Sequence, residues 1–265
     1  MIVAFVLAAV LLSALMAGAW VLAQRTGQSG WVDVVWSFAQ GAAGILVALV
    51  PLSGGSAGWR QVTVAVLVGL WSLRLGLHIA QRSRHGPEDA RYAALRREWG
   101  ANFPRRLFWF LQVQAAAAAL LTLSILLAAH NPAPFPMPLD LLGVLVMLAA
   151  IAGEGIADEQ LRRFKANPAN KGRVCNTGLW AWSRHPNYFF EWFGWIGYFL
   201  LAISGGWTWG WLALSGPAFM YFLLVHVSGI PLTEKLMLES RGEVFARYQA
   251  RVSPFFPLPP KDRAS

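Results

Sequence analysis

The chain has 265 residues, of which 56% are hydrophobic and only 13% charged, with a formal net charge of +9 at neutral pH. So much apolar surface cannot be buried in one water-soluble core of this size, which excludes an ordinary soluble domain and points to a membrane protein. The single cysteine, Cys175, excludes an intrachain disulfide and a cysteine-rich metal centre, and nothing beyond the charge itself supports nucleic-acid binding.

A helix needs about 20 mostly apolar residues to cross ~30 Å of hydrocarbon. Seven stretches meet that need, at 2–23, 32–51, 59–80, 106–129, 138–157, 187–204 and 208–230. The first lacks a basic residue ahead of its apolar run and is too long for a cleaved signal, so it is read as a membrane helix. The expected fold is an all-α, seven-helix membrane bundle forming one domain over residues 1–265.

Basic residues resist translocation, and their distribution sets the orientation. With the N-terminus outside and the C-terminus cytoplasmic, 20 of the 22 Lys and Arg residues lie inside, leaving Arg60 at an outer edge and Arg74 within the third helix. A bacterial inner membrane is the expected location. The basic loops would also attract anionic lipid headgroups.

Ionisable residues at membrane depth are costly and are read as facing protein or water rather than lipid. Asp33 is placed at the outer start of the second helix, where it is either a cap or a site residue. Arg74 and His78 lie one turn apart in the third helix, and Glu154 and Asp158 one turn apart at the inner end of the fifth. Two carboxylates so close repel unless cations or ligand hydroxyls sit between them, and Arg162 and Lys165 extend the same face. His226, alone, is read as a packed or interfacial histidine. Gly153-Glu-Gly155 resembles the start of a dinucleotide fingerprint but lies inside an apolar helix with no strand before it.

The densest polar segment runs from Thr177 to Glu191 and gathers Arg184, His185, Asn187, Tyr188 and Glu191 around Pro186. A proline suits the first turn of a helix, whose free N–H groups favour an anion such as a phosphate.

Ser183-Arg-His-Pro-Asn-Tyr-Phe-Phe-Glu191, followed by Trp195-Ile-Gly-Tyr198, resembles the C-terminal part of steroid 5-alpha-reductases and their bacterial relatives. The likeness extends back through Gly178-Leu-Trp180 and through Glu154 to Arg162, covering about 150 C-terminal residues. Further N-terminally it is sparse. Ser37-Phe-Ala39 and Gly44-Ile-Leu46 can be laid on the animal enzymes, which puts Asp33 near their Gln-Glu pair and Trp71 near a substrate-facing tyrosine.

The resemblance implies a seven-helix reductase that uses NADPH to reduce the C4–C5 double bond of 3-oxo-4-ene steroids. It implies cofactor contacts from Glu154, Asp158, Arg162, Arg173, Asn187, Tyr188 and Glu191, with Arg184 and His185 nearby and Lys165 where the family has arginine. Arg91 and Tyr92, in a Glu-Asp-x-Arg-Tyr loop starting at Glu88, and Glu234 with Lys235 in the tail would close the cofactor cavity. Trp71 and Arg74 would meet the substrate, and a protonated Asp33 would donate to its carbonyl. A rival is an S-adenosylmethionine-dependent methyltransferase of the isoprenylcysteine carboxyl methyltransferase type, which also carries an Arg-His-Pro-x-Tyr segment. A scaffold or small-solute transporter is the third class, disfavoured by charge gathered on one side.

Overall fold

A computed structural model describes residues 1–51, 56–85 and 89–261. These contain ten α-helices and no strand: α1 (Ile2–Thr26), α2 (Trp31–Leu49), α3 (Trp59–His85), α4 (Ala90–Trp99), α5 (Phe103–Ala129), α6 (Pro138–Ala166), α7 (Pro186–Ile203), α8 (Ser215–Phe222), α9 (Ile230–Arg241) and α10 (Glu243–Arg251). Six stretches are helical, long and apolar enough to cross a membrane, at 2–26, 31–49, 59–84, 90–129, 138–166 and 208–241.

The stretch expected at 187–204 does form a helix, but α7 is not among the six. Asn187, Tyr188 and Glu191 in its first two turns lower its hydropathy. The last stretch is a broken one: a 3-10 run at Thr208–Leu214, then α8, a π-turn at Leu223–Val227, and α9. Gly229 lies after the π-turn, where a Cβ would come within 2.4 Å of the Leu224 carbonyl oxygen.

The helices divide into two compact units. The first comprises residues 1–145 and 196–216. In it α1 packs on α2 and α5, and α2 packs on α3. Ala4, Ala8, Leu12, Met16, Ala19 and Ala23 form the buried stripe of α1, and Val3, Val6, Leu7 and Val10 face outward. Small residues bring α2 and α3 together: a Cβ on Gly41 would lie 2.1 Å from Ser72 Oγ, which donates to the Ser37 carbonyl at 2.9 Å.

One end of this unit is tied by Arg60, whose guanidinium meets Asp140 at 2.5 and 3.0 Å and the Leu201 carbonyl at 3.0 Å. Asn131 donates to the carbonyls of Leu201, Ala202 and Ser204 at 2.7–3.1 Å. The start of α3, the end of α5, the start of α6 and the end of α7 therefore lie at one end.

The second unit comprises residues 146–195 and 217–261 of the described chain. Here the resemblance of Gly153 to a nucleotide fingerprint has a packing explanation, since a Cβ there would lie 2.4 Å from the Phe190 ring. Trp180 Nε1 donates to the Ala157 carbonyl at 2.9 Å, holding the 178–181 turn against α6.

Candidate functional site

The second unit builds its site around Glu234, on the second turn of α9. Its Oε1 accepts from Arg184 Nε at 2.6 Å and from His185 Nε2 at 3.0 Å. Its Oε2 accepts from Arg184 Nη2 at 3.2 Å and from Gln249 Nε2 at 2.6 Å. Arg184 Nη1 donates to the carbonyls of Gln249 at 3.0 Å and Val252 at 2.6 Å. Arg184 is thus engaged with its own chain on three sides. Burial pushes the His185 imidazole below its ordinary value, only partly countered by the bond to Glu234, and the ring is neutral at pH 7.

His185 stacks on Tyr188, with centroids 5.2 Å apart and planes inclined by 12°. The Tyr188 hydroxyl lies 3.2 Å from Thr233 Oγ1. Asn187 Nδ2 donates to Asp158 Oδ1 at 3.2 Å, and Trp195 Nε1 to Glu191 Oε1 at 3.2 Å. Glu154 and Asp158 are both buried, one turn apart on α6. The polar segment at the start of α7 is therefore folded inward against α6 and α9.

The cations are arranged differently from expectation. Arg162 does not continue the face of Asp158, because its guanidinium turns back to Glu159 at 2.6 and 2.8 Å on the exposed side. Lys165, Arg173 and Lys235 are exposed as well. Sequence reading passed over Gln249, Tyr248 and Thr233, whose signal is only their position in α9 and α10. Burial pushes the Tyr248 phenol up, so it stays protonated and donates to the Trp180 carbonyl at 2.6 Å.

The first unit holds a separate polar cluster. Asp33 accepts from Arg91 Nη2 in a short ion pair and from the Tyr92 hydroxyl at 2.8 Å. Asp89 caps α4 through the Arg91 amide at 2.9 Å and also meets Arg82 at 3.1 Å. Desolvation raises the Asp89 pKa, but the hydrogen bond and charge of Arg91 outweigh it and hold the carboxyl below its usual value. Glu88 lies outside the described residues.

The expected place of Asp33 is corrected. It lies at the end of its unit where α3 stops and α4 starts, because α1 ends at Thr26 and only a short turn precedes α2. Both its oxygens accept hydrogen bonds, from Arg91 and from Tyr92. Its hydrogen-bond role is to hold Arg91 and Tyr92, and the α2 cap is Gly30. Trp71 is buried edge-on to Trp36, with centroids 6.3 Å apart, and Arg74 is half-buried one turn further along α3.

Among the described residues, the all-helical architecture, six helical stretches long and apolar enough to cross a membrane, and polar clusters near helix ends point to a multi-pass membrane protein. The chain belongs to the family described as proteins of unknown function, DUF1295, whose model matches residues 19–252. It is similar to an uncharacterized protein of Schizosaccharomyces pombe, 27% identical over 270 residues, which cover 90% of this chain and 75% of that protein. No solved structure matches it.

Proposed function

We propose that this chain is an NADPH-dependent membrane reductase acting on the carbon–carbon double bond of a lipidic enone, with 3-oxo-4-ene steroids as the model substrate class. The observation that carries the reading is the fold of the segment resembling the steroid 5-alpha-reductases. Within it Asn187 meets Asp158 at 3.2 Å, and Tyr188 meets Thr233 at 3.2 Å and stacks on His185.

The donor set suits the cofactor. Asn187, Tyr188 and the buried carboxylates of Glu154 and Asp158 offer partners for ribose hydroxyls and a carboxamide, and the exposed cations Arg162, Lys165 and Arg173 suit phosphates. Glu191 and Lys235 belong to the same proposed set. Arg184 and Glu234 frame the site rather than contact the cofactor, because their polar atoms are already engaged, and His185 stands beside them with its Nε2 held by Glu234. NADPH, when bound, supplies a hydride. The substrate-carbonyl role is assigned to Asp33 through the Arg91 and Tyr92 donors it holds, with Trp71 and Arg74 as further substrate residues.

In this reading α7 is a seventh crossing. Its C-terminal end meets the starts of α3 and α6, and a crossing there places 20 of the 22 basic residues on the cytoplasmic side of a bacterial inner membrane with the N-terminus outside.

Thermal shift on detergent-purified protein tests the cofactor. NADPH should stabilise more than NADH or S-adenosylmethionine, and Asn187→Ala should weaken NADPH roughly tenfold, the scale of one or two hydrogen bonds. Stabilisation by S-adenosylmethionine alone would replace the reductase reading with the methyltransferase one. Asp33→Leu should lower turnover of a 3-oxo-4-ene steroid by about 10²-fold, because it releases Arg91 and Tyr92 from the positions in which they would meet a developing oxyanion, with NADPH affinity unchanged. Normal turnover in that variant removes Asp33 from the reaction.

A further inference from the structure

The C-terminal segment beyond α10 is a strap with two faces. Its inner face is fixed: Val252 and Phe255 are buried at 7% and 2% exposure, and the Ser253 carbonyl accepts from the Arg184 amide at 2.8 Å. The Phe255 carbonyl accepts from Ser183 Oγ at 2.8 Å, and the Phe255 ring lies 5.3–5.9 Å from those of Phe189, Trp192 and Tyr221. Its outer face is apolar: Leu258 is 54% exposed, and Phe256, although its ring lies 5.7–6.2 Å from those of Phe189, Trp192 and Tyr221, is 42% exposed. The Leu258 amide donates to the Trp182 carbonyl at 3.0 Å, which sets Trp182, itself 47% exposed, beside the strap.

Basic residues border this patch. Arg251 and Lys261 are exposed at the two ends of the strap, and the Lys261 amide folds back to the Arg251 carbonyl at 2.9 Å. Arg247 is exposed one turn earlier on α10. Trp180, two residues before Trp182, bonds through its indole to the Ala157 carbonyl of α6, a helix long and apolar enough to cross a membrane.

From these observations we infer that the strap is an interfacial anchor: Trp182, Phe256 and Leu258 enter the headgroup–acyl boundary while Arg251, Lys261 and Arg247 meet the phosphates of anionic lipids. Tryptophan and aliphatic side chains with a basic border match the amphipathic character of that boundary. A tethered anchor of this kind fixes the strap, and through Ser183 and Arg184 the start of α7, at a set height. The inference is independent of the reaction proposed above.

The test uses the full chain with Phe256→Cys in a Cys175→Ala background, nitroxide-labelled and reconstituted in phosphatidylglycerol–phosphatidylcholine vesicles. The label should be relaxed more by oxygen than by a water-soluble nickel chelate, consistent with insertion by about 5–10 Å. Arg251→Gln with Lys261→Gln should shrink the extra thermal stability that phosphatidylglycerol gives over phosphatidylcholine. A label relaxed chiefly by the nickel chelate places the strap in water and overturns the inference. A label shielded from both reagents means a second copy covers the patch, and overturns it equally. Unchanged detergent Tm certifies the labelled fold. If Phe256→Cys lowers it, Leu258→Cys takes its place with the same outcomes.

Discussion

Asp140→Ala should lower stability in detergent by about 3–5 kcal/mol, read as a large fall in Tm, because it leaves a buried guanidinium without its counter-charge. Arg60 and Asp140 side chains are only 5% and 0% exposed. Asp140 Oδ2 also accepts from the Met137 amide at 2.8 Å, reaching back over the first turn of α6 in the manner of half a capping box. Arg60 in turn caps carbonyls of Pro134 at 3.1 Å and Leu201 at 3.0 Å, so one substitution loosens several helix ends together. Replacing both partners with apolar residues, Arg60→Met with Asp140→Leu, should recover part of the loss, since no lone charge is then buried. Recovery should stay incomplete because the capped carbonyls lose their donor. A loss below about 1 kcal/mol for Asp140→Ala, the scale of an exposed pair, would mean that water reaches Arg60.

This ion pair shows why the sequence gives up its helices more readily than their fastenings. Membrane helices announce themselves through length and hydropathy, a signal local to each segment. Arg60 and Asp140 are 80 positions apart, and each read alone is an interfacial charge. The same holds for the α2–α3 contact, where Ser37, Gly41 and Gly44 let the helices close on Ser72 and Val68. α7 illustrates the opposite limit. Its apolar second half looks like a crossing, while the polar residues that fill its first turns are drawn inward by Asp158 and Thr233.

The site was legible where its residues are contiguous. Ser183 to Glu191 stands out by density of polar groups, and the pairing of Glu154 and Asp158 follows from helical spacing. What spacing does not specify is the direction of a long side chain. Asp158 and Arg162 share a helix face by count, but Glu159 is one residue nearer and open to solvent, so the guanidinium turns there. Gln249 was hidden because nothing on α10 suggests that it would complete the shell of a carboxylate on α9.

That shell carries the second large effect. Glu234→Ala should cost about 3–5 kcal/mol, since Arg184, 10% exposed, would keep a buried charge while losing its only carboxylate partner among the described contacts. Glu234→Gln, which keeps one acceptor oxygen for Arg184 and His185, should cost less. Acid sensitivity supplies an independent readout. His185 titrates near 6.5 when unfolded and below that when folded, so the unfolded chain binds more protons in the interval. The contribution of His185 is therefore complete above about pH 6.5 and is lost as pH falls from there through the folded value. Glu234 favours the protonated ring, so Glu234→Ala should lower the folded value further and extend the loss to lower pH. Tm measured from pH 7.5 down to pH 5 on wild type and Glu234→Ala separates the two contributions. Parallel profiles with an unchanged neutral-pH Tm would show that Glu234 holds neither Arg184 nor His185, and the frame around Asn187 and Tyr188 would have to be sought in the strap instead.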